Sequence, residues 1–234
     1  MPTNMMPSSC SSPKPILISI DGLIGSGKST LLNQLRENYP HWHFIDEPLD
    51  TWTALKNETG ESLLEVFYKD KRRWSYTFQN CAVLSRYQNI RHSIEQWQRD
   101  CVHNPELEKH NVFITERSLE TDFNVFAQML RDEGAIDAME WDLYKKWYRM
   151  LQDSCHIDAI IYVNTSPEVS LERIGVRGRQ GEGDIHLDYL QNLHKYHLKW
   201  IDRIASPVML YNNYLGGQKG HNQPEDVERF IARL

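Results

Sequence analysis

The chain has no apolar run approaching the ~20 residues of a membrane-spanning helix, so no membrane partner is expected. Lysine and arginine number 26 against 32 aspartates and glutamates, a net charge of -6. A protein that coats a nucleic-acid polymer needs the opposite excess, clustered. Cysteine is scarce: Cys10, Cys81, Cys101 and Cys155 are scattered without a Cys-x-x-Cys pair. That spacing argues against a zinc site or a disulfide framework and fits a reducing, cytoplasmic setting. Met1 to Pro15 lacks the apolar stretch of a signal peptide and has Lys14 as its one basic residue, unlike an Arg-rich transit peptide. Residues 1–14 therefore read as a disordered tail before a single domain over 15–234. At 234 residues and 40% hydrophobic content, one sizeable core is expected.

What is present is a phosphate-binding signature. The apolar run Ile16-Leu17-Ile18, with Ile20, reads as a buried strand, and Gly22-Leu23-Ile24-Gly25-Ser26-Gly27-Lys28-Ser29-Thr30 follows it into a helix. Glycines let successive backbone N–H groups turn onto phosphate oxygens, and the helix N-terminus adds its positive end. Lys28 supplies a full charge and Ser29 a hydroxyl for Mg²⁺. A glycine-rich turn that binds nothing has no need of a lysine at that offset. By itself the loop does not separate a kinase from an ATPase or a GTPase switch.

Further strands read at Trp42 to Ile45, Val112 to Ile114, Ala159 to Val163 and Val208 to Tyr211, alternating with helical stretches, the pattern of a parallel α/β sheet. In such sheets ligand-contacting residues sit at the carboxyl ends of strands, where Glu47 and Glu116-Arg117-Ser118 fall. Glu47 is thus a candidate general base, against the alternative that it begins a turn before Pro48. Leu49 to Glu61 reads as a loop anchored by Trp52, and His103 to His110 as another. A long helix over Arg72 to Arg99 puts Gln79, Ala82 and Arg86 on one face, a floor for a planar base or a solvated polar stripe. A helix with Asp122 and Phe126 one turn apart follows the third strand. Trp141, Tyr144, Trp147 and Leu151 at helical spacing read as core or a helix-helix interface. Arg173, Arg177 and Arg179 beside Gly178, Gly181 and Gly183 read as a lid over phosphates, or as an ordinary basic helix end.

Taken together, GLIGSGKST, Glu47-Pro48 with Trp52, the stretch WSYTFQNCAVLSR from Trp74 to Arg86, Glu116-Arg117-Ser118, and Arg173 to Arg179 with Glu182 resemble the deoxynucleoside kinase family. The resemblance runs from about Pro15 to Val208 and is closest to its deoxycytidine and deoxyguanosine kinase branch. It implies the P-loop kinase fold of class α/β, a central five-stranded parallel sheet flanked by helices, with an arginine-rich lid over about 173–187. The implied reaction moves the γ-phosphoryl group of ATP or another nucleoside triphosphate to the 5′-hydroxyl of a deoxynucleoside, with Mg²⁺ and in a homodimer.

Carried over position by position, the resemblance makes Glu47 the acceptor of the 5′-hydroxyl proton and Arg117 the holder of that oxygen. Lys28 and the lid arginines would neutralise the transferring group, and Ser29 with Glu116 would hold Mg²⁺. Tyr68 and Glu182 match residues on the 3′-hydroxyl, Gln79 the amide facing the base, and Trp52, Phe78 and Phe126 its aromatic walls. An amide presents donor and acceptor either way round, so the pair Arg86 and Asp122 carries the choice. A carboxylate there accepts from an exocyclic amine and repels a carbonyl, favouring cytosine or a purine over thymine. The chain departs from the family pattern at Gly181, at His186 and across the glycine-rich stretch Asn212 to His221. The competing expectations are a nucleoside monophosphate kinase of the thymidylate kinase kind, which needs an extra cationic site for the acceptor's phosphate, and a regulatory NTPase switch.

Overall fold

The computed structural model describes residues 14–179, 182–212, 214–215, 218–219 and 222–234. Residues 1–13 of the tail expected over 1–14, Gly181 of the lid, and much of the stretch from 213 to 221 lie outside the described residues.

Five apolar segments pair in parallel as β1 (Ile16–Gly22), β2 (His43–Ile45), β3 (Val112–Glu116), β4 (Ala159–Val163) and β5 (Val208–Tyr211), in the order β2-β3-β1-β4-β5. A short antiparallel pair, β6 (Tyr214–Leu215) and β7 (Gln218–Lys219), stands apart from that sheet. Ten α-helical segments are described: α1 (Lys28–Asn38), α2 (Leu49–Ala54), α3 (Leu63–Lys69), α4 (Lys71–His103), α5 (Leu119–Thr121), α6 (Gln128–Asp132), α7 (Ala138–Gln152), α8 (Pro167–Arg177), α9 (Leu187–Ile201) and α10 (Pro224–Ile231). This is the α/β architecture with a five-stranded parallel sheet that the strand pattern predicts.

The two-residue period of a strand divides the interior into two cores. Leu17, Phe113, Ile160 and Tyr162 face one core, with Phe67 of α3, Val83 and Ile90 of α4, and Leu193 of α9. Ile18, Ile20, Ile114 and Ile161 face the other, closed by Leu31, Leu32 and Leu35 of α1 and by Val227 and Ile231 of α10. With both faces covered, β3 and β4 are buried at every residue, which is why β4 reads as a continuous apolar run and β3 as one up to Thr115.

Local sequence sets the helix limits. Ser62 and Glu65 form a reciprocal capping box at the start of α3, and Asp137 and Glu140 do the same for α7. Asp70 caps α4, and Ser166 caps α8 ahead of Pro167 at its first position. Gly178 ends α8 in the left-handed conformation at φ 58°. Leu49 to Ala54, expected as loop, is the short helix α2, and Pro105–Lys109, also expected as loop, is a 3-10 turn. Both are too short to show a period. The Asp122–Ala127 segment is a π-helix between α5 and α6 rather than an α-helical turn.

At the phosphate loop, Gly25 takes φ 78°, and a Cβ there would lie 2.5 Å from the Ser170 carbonyl oxygen and 2.9 Å from Ile174 Cγ1 of α8. Both the backbone angle and the close approach of α8 require glycine. Helix α8, which carries Arg173 and Arg177, is thereby seated on the loop.

His197 of α9 sits fully buried behind this region, its Nδ1 2.9 Å from the Leu193 carbonyl. Burial, with the positive charge of Arg117 and Lys28, pushes its pKa down from 6.5 to about 3. The folded state therefore keeps it neutral while the unfolded chain takes up a proton below 6.5, so its contribution is complete above that pH and shrinks on acidification. Between pH 6.5 and 5.5, urea unfolding of the native protein should lose roughly 1 kcal/mol more than that of His197→Leu. Parallel stability profiles would contradict this account of the residue.

Candidate functional site

The carboxyl ends of β1, β2 and β3 lie side by side, so the phosphate loop, Glu47 and Glu116-Arg117 converge on one cavity of about 370 Å³. Ile24, Gly25, Gly27, Lys28, Ser29 and Thr30 line it from the loop. Gly22, Leu23 and Ser26 do not; their carbonyls instead accept hydrogen bonds that brace the site. The Leu23 carbonyl takes one from Lys28 Nζ at 2.8 Å, the Gly22 carbonyl one from Arg117 Nη2 at 3.4 Å, and the Ser26 carbonyl those of Arg173 Nη1 at 2.9 Å and Thr165 Oγ1 at 3.1 Å.

The middle of the cavity is a cluster of buried charges. Arg117 Nη1 lies 2.5 Å from Glu47 Oε1, and Arg86 Nη2 is 3.8 Å from the same oxygen. Burial would raise the Glu47 pKa, but Arg117, then Arg86 and Lys28, outweigh it and hold the carboxyl below its ordinary 4.5. Glu47 is therefore an ionised carboxylate at neutral pH, and its carbonyl also accepts from the Leu49 N–H at 2.8 Å in the turn across Pro48. For Arg117, burial would lower the pKa, and Glu47 and Glu116 raise it. Lys28 differs: burial and repulsion from Arg117 push its ammonium down to about 8, against the pull of Glu116, Glu47 and Asp21. An anion added at the loop would relieve that depression.

Ser29 Oγ donates to Glu116 Oε2 at 2.8 Å, and Lys28 Nζ lies 3.6 Å from Glu116 Oε1. A hydroxyl and a carboxylate in contact, with Ser29 exposed to the cavity, suit a hard divalent cation that keeps most of its water.

Toward the other end the walls are aromatic. Phe67 stacks on Phe78 at 4.4 Å between ring centres, Trp52 meets Phe78 edge-on at 5.2 Å, and Trp52 Nε1 donates to Ser85 Oγ at 3.0 Å. Gln79 and Arg86 are each 1% exposed, which overturns the solvated-stripe alternative for that face of α4. Gln79 Oε1 has no hydrogen-bond partner among the described residues. Arg86 Nε lies 2.9 Å from Asp122 Oδ2, and Arg86 Nη1 donates to the Glu116 carbonyl at 2.5 Å. Burial would lower the Arg86 pKa, but Asp122 and Glu47 keep its proton firmly in place. Arg117 lies over the Phe126 ring at 5.0 Å. Tyr68 stands edge-on to Tyr189 at 6.4 Å on the remaining side.

Arg173, Arg177, Arg179 and Glu182 all reach the cavity. Arg177 Nη2 pairs with Glu182 Oε2 at 2.5 Å and Arg179 Nη1 with Glu182 Oε1 at 3.2 Å. Sequence reasoning missed Leu49, Leu64, Phe67 and Tyr189 as lining residues. Each looks like ordinary core in sequence, and only the packing of α2 and α3 against α4, with Tyr189 of α9 beside Tyr68, brings it to the cavity.

The deoxynucleoside kinase family model matches residues 18–230. Deoxycytidine kinase 2 of Gallus gallus is 36% identical over 200 residues, covering 79% of this chain and 73% of its own. A probable deoxycytidine kinase of Fowlpox virus is 38% identical over 187 residues, 79% of this chain and 71% of its own. Mitochondrial deoxyguanosine kinase of Xenopus laevis is 33% identical over 210 residues, 83% and 76% of the two chains. Neither the monophosphate kinase nor the NTPase switch is favoured by these relatives. The chain belongs to the deoxynucleoside kinase family and is a phosphotransferase that acts on a nucleoside hydroxyl.

Proposed function

We propose that this enzyme phosphorylates the 5′-hydroxyl of deoxycytidine, and of purine deoxynucleosides, in preference to thymidine. The observation that carries the direction of transfer is the Glu47–Arg117 contact at 2.5 Å in the same cavity as the phosphate loop. Glu47 takes the 5′-hydroxyl proton as the oxygen attacks the γ-phosphorus, the bond to the β-phosphate oxygen breaks, and the nucleoside diphosphate leaves. Arg117 holds the attacking oxygen. Because the transition state is loose, charge neutralisation by Lys28 and Arg117 matters as much as the base. The donor is ATP or another nucleoside triphosphate, its phosphates cradled by the loop residues that line the cavity, Ile24, Gly25, Gly27, Lys28, Ser29 and Thr30. Ser29, and Glu116 through water, would hold Mg²⁺, which when bound would supply positive charge to the donor phosphates.

Residues 15–234 form one kinase domain whose lid covers about 173–187. In closing, Arg177 and Arg179 exchange Glu182 for donor phosphates beside Arg173, which frees Glu182 to meet the 3′-hydroxyl with Tyr68. The base lies between Phe126 and the Trp52 and Phe78 walls, its edge on Gln79. Burial raises the Asp122 pKa from its ordinary 3.8, and the two N–H groups of the Arg86 guanidinium aimed at it oppose that rise; as a carboxylate Asp122 accepts from an exocyclic amine and repels the thymine carbonyl. The names of the deoxycytidine and deoxyguanosine kinases among its relatives agree with this choice.

Free cysteines at Cys81, Cys101 and Cys155 are consistent with a cytoplasmic enzyme of nucleotide salvage. Among the described residues, no helix is long and apolar enough to cross a membrane. The enzyme is a homodimer: Met139, Leu143, Trp147 and Met150 leave one face of α7 apolar and 40% exposed or more.

Two outcomes are expected. In a panel of the four deoxynucleosides with ATP and Mg²⁺, thymidine is the poorest acceptor, and Asp122→Ala combined with Arg86→Met raises its relative use by about tenfold or more. No gain for thymidine in that variant would refute the pair as the selector. Sedimentation should give twice the chain mass, and Leu143→Glu with Trp147→Glu the single mass; a monomeric native protein would sink the dimer.

A further inference from the structure

The end of β1 and the turn after β3 are tied together by a chain of hydrogen bonds in which no cavity-lining side chain takes part. Asp21, fully buried on β1, accepts from Ser19 Oγ at 2.5 Å through one carboxylate oxygen and from Thr121 Oγ1 at 2.6 Å through the other. Thr121 Oγ1 also lies 2.9 Å from Ser118 Oγ and accepts from the Ser118 N–H at 3.2 Å, while the Thr121 N–H donates back to Ser118 Oγ at 3.1 Å. A hydroxyl has one proton to give. Thr121 gives its own to the Asp21 carboxylate, while its oxygen accepts from the Ser118 N–H.

The same two strands grip Arg117 itself. Its N–H donates to the carbonyl of Ile20, the residue before Asp21, at 3.0 Å, and its carbonyl accepts from Thr115 Oγ1 at 2.9 Å. Arg117 has φ 64°, the one left-handed non-glycine residue among those described. A side chain in that region persists only where its surroundings over-determine it, and such residues cluster at sites that need an exact aim. Arg117 and Lys28 are both within electrostatic reach of the Asp21 carboxylate, and Tyr162 of β4 lies beside it in register.

We propose that Asp21 is a positioning residue for phosphoryl transfer. Clamped between Ser19 and Thr121, its carboxylate holds the Ser118–Thr121 turn against β1 and keeps the left-handed Arg117 aimed at Glu47. This rests on the assignment of Arg117 to the attacking oxygen. A misaimed guanidinium costs turnover while the base and sugar contacts, made elsewhere in the cavity, keep the nucleoside bound.

The test uses the full chain with deoxycytidine, ATP and Mg²⁺, reading kcat alongside the nucleoside dissociation constant by calorimetry. Thr121→Val, which keeps the shape and removes the hydroxyl, should lower kcat about fivefold or more with nucleoside affinity within about twofold, and Thr121→Ser should restore it. Asp21→Asn should lower kcat by at least the same factor. Equal turnover of the Val and Ser variants, or a loss of less than about fivefold in Asp21→Asn, overturns the proposal. Should Asp21→Asn not fold, the Thr121 pair decides alone. Arg117→Met separates the two levels: a fully active Arg117→Met sinks the assignment of Arg117, whereas an inactive one beside unaffected Thr121 variants sinks this inference only.

Discussion

Glu47 and Arg117 form an ion pair where water is largely excluded, and the arrangement around it follows from having to hold those two charges there. Burying a carboxylate and a guanidinium costs more than their mutual attraction returns unless further partners satisfy both. Arg86 supplies the second cation near Glu47, Glu116 and Asp21 add negative charge facing Arg117, and Asp122 in turn satisfies Arg86. These groups come from different strand ends and from α4, so only the assembled sheet brings them together. The site is thus a stability cost that the two apolar cores must offset.

The balance of charge also separates two halves of the cavity. Around Glu47 and Asp122, cations and carboxylates are matched nearly one for one. At the loop end, Lys28 is left with a depressed pKa, its neighbour Arg117 repelling it, and Arg177 and Arg179 share a single carboxylate, Glu182. An electropositive end waiting for phosphates and a balanced end lined with rings suit a donor and a nucleoside respectively. Arg86 links them, since one guanidinium touches Asp122 at the base end and the Glu116 carbonyl at the loop end.

Much of this was legible in the sequence because it is written in local order. The strand runs, the glycine-lysine loop and the charged residues at strand ends each carry their meaning within a few residues, and all fall where expected. Gln79 and Arg86 were ambiguous, since helical spacing says that they share a face and not which way it points; burial against β3 and the π-helical segment decides it. Phe67 and Tyr189 were invisible as lining residues, because a core aromatic and a wall aromatic have the same neighbours in sequence. The role of Asp21 is hidden in sequence for a related reason: its partners lie at Ser19 and Thr121, and the second is brought close only by the pairing of β1 with β3.

We propose that Glu47, ionised and paired with Arg117, accepts the proton of the nucleoside hydroxyl. Glu47→Gln keeps the shape of the side chain and removes its basicity. Single-turnover transfer from ATP to deoxycytidine, measured beside equilibrium binding of the nucleoside, tests it most directly. A fall in the transfer rate of about a hundredfold or more, with nucleoside affinity little changed, is the predicted result. Transfer at close to the native rate would contradict it.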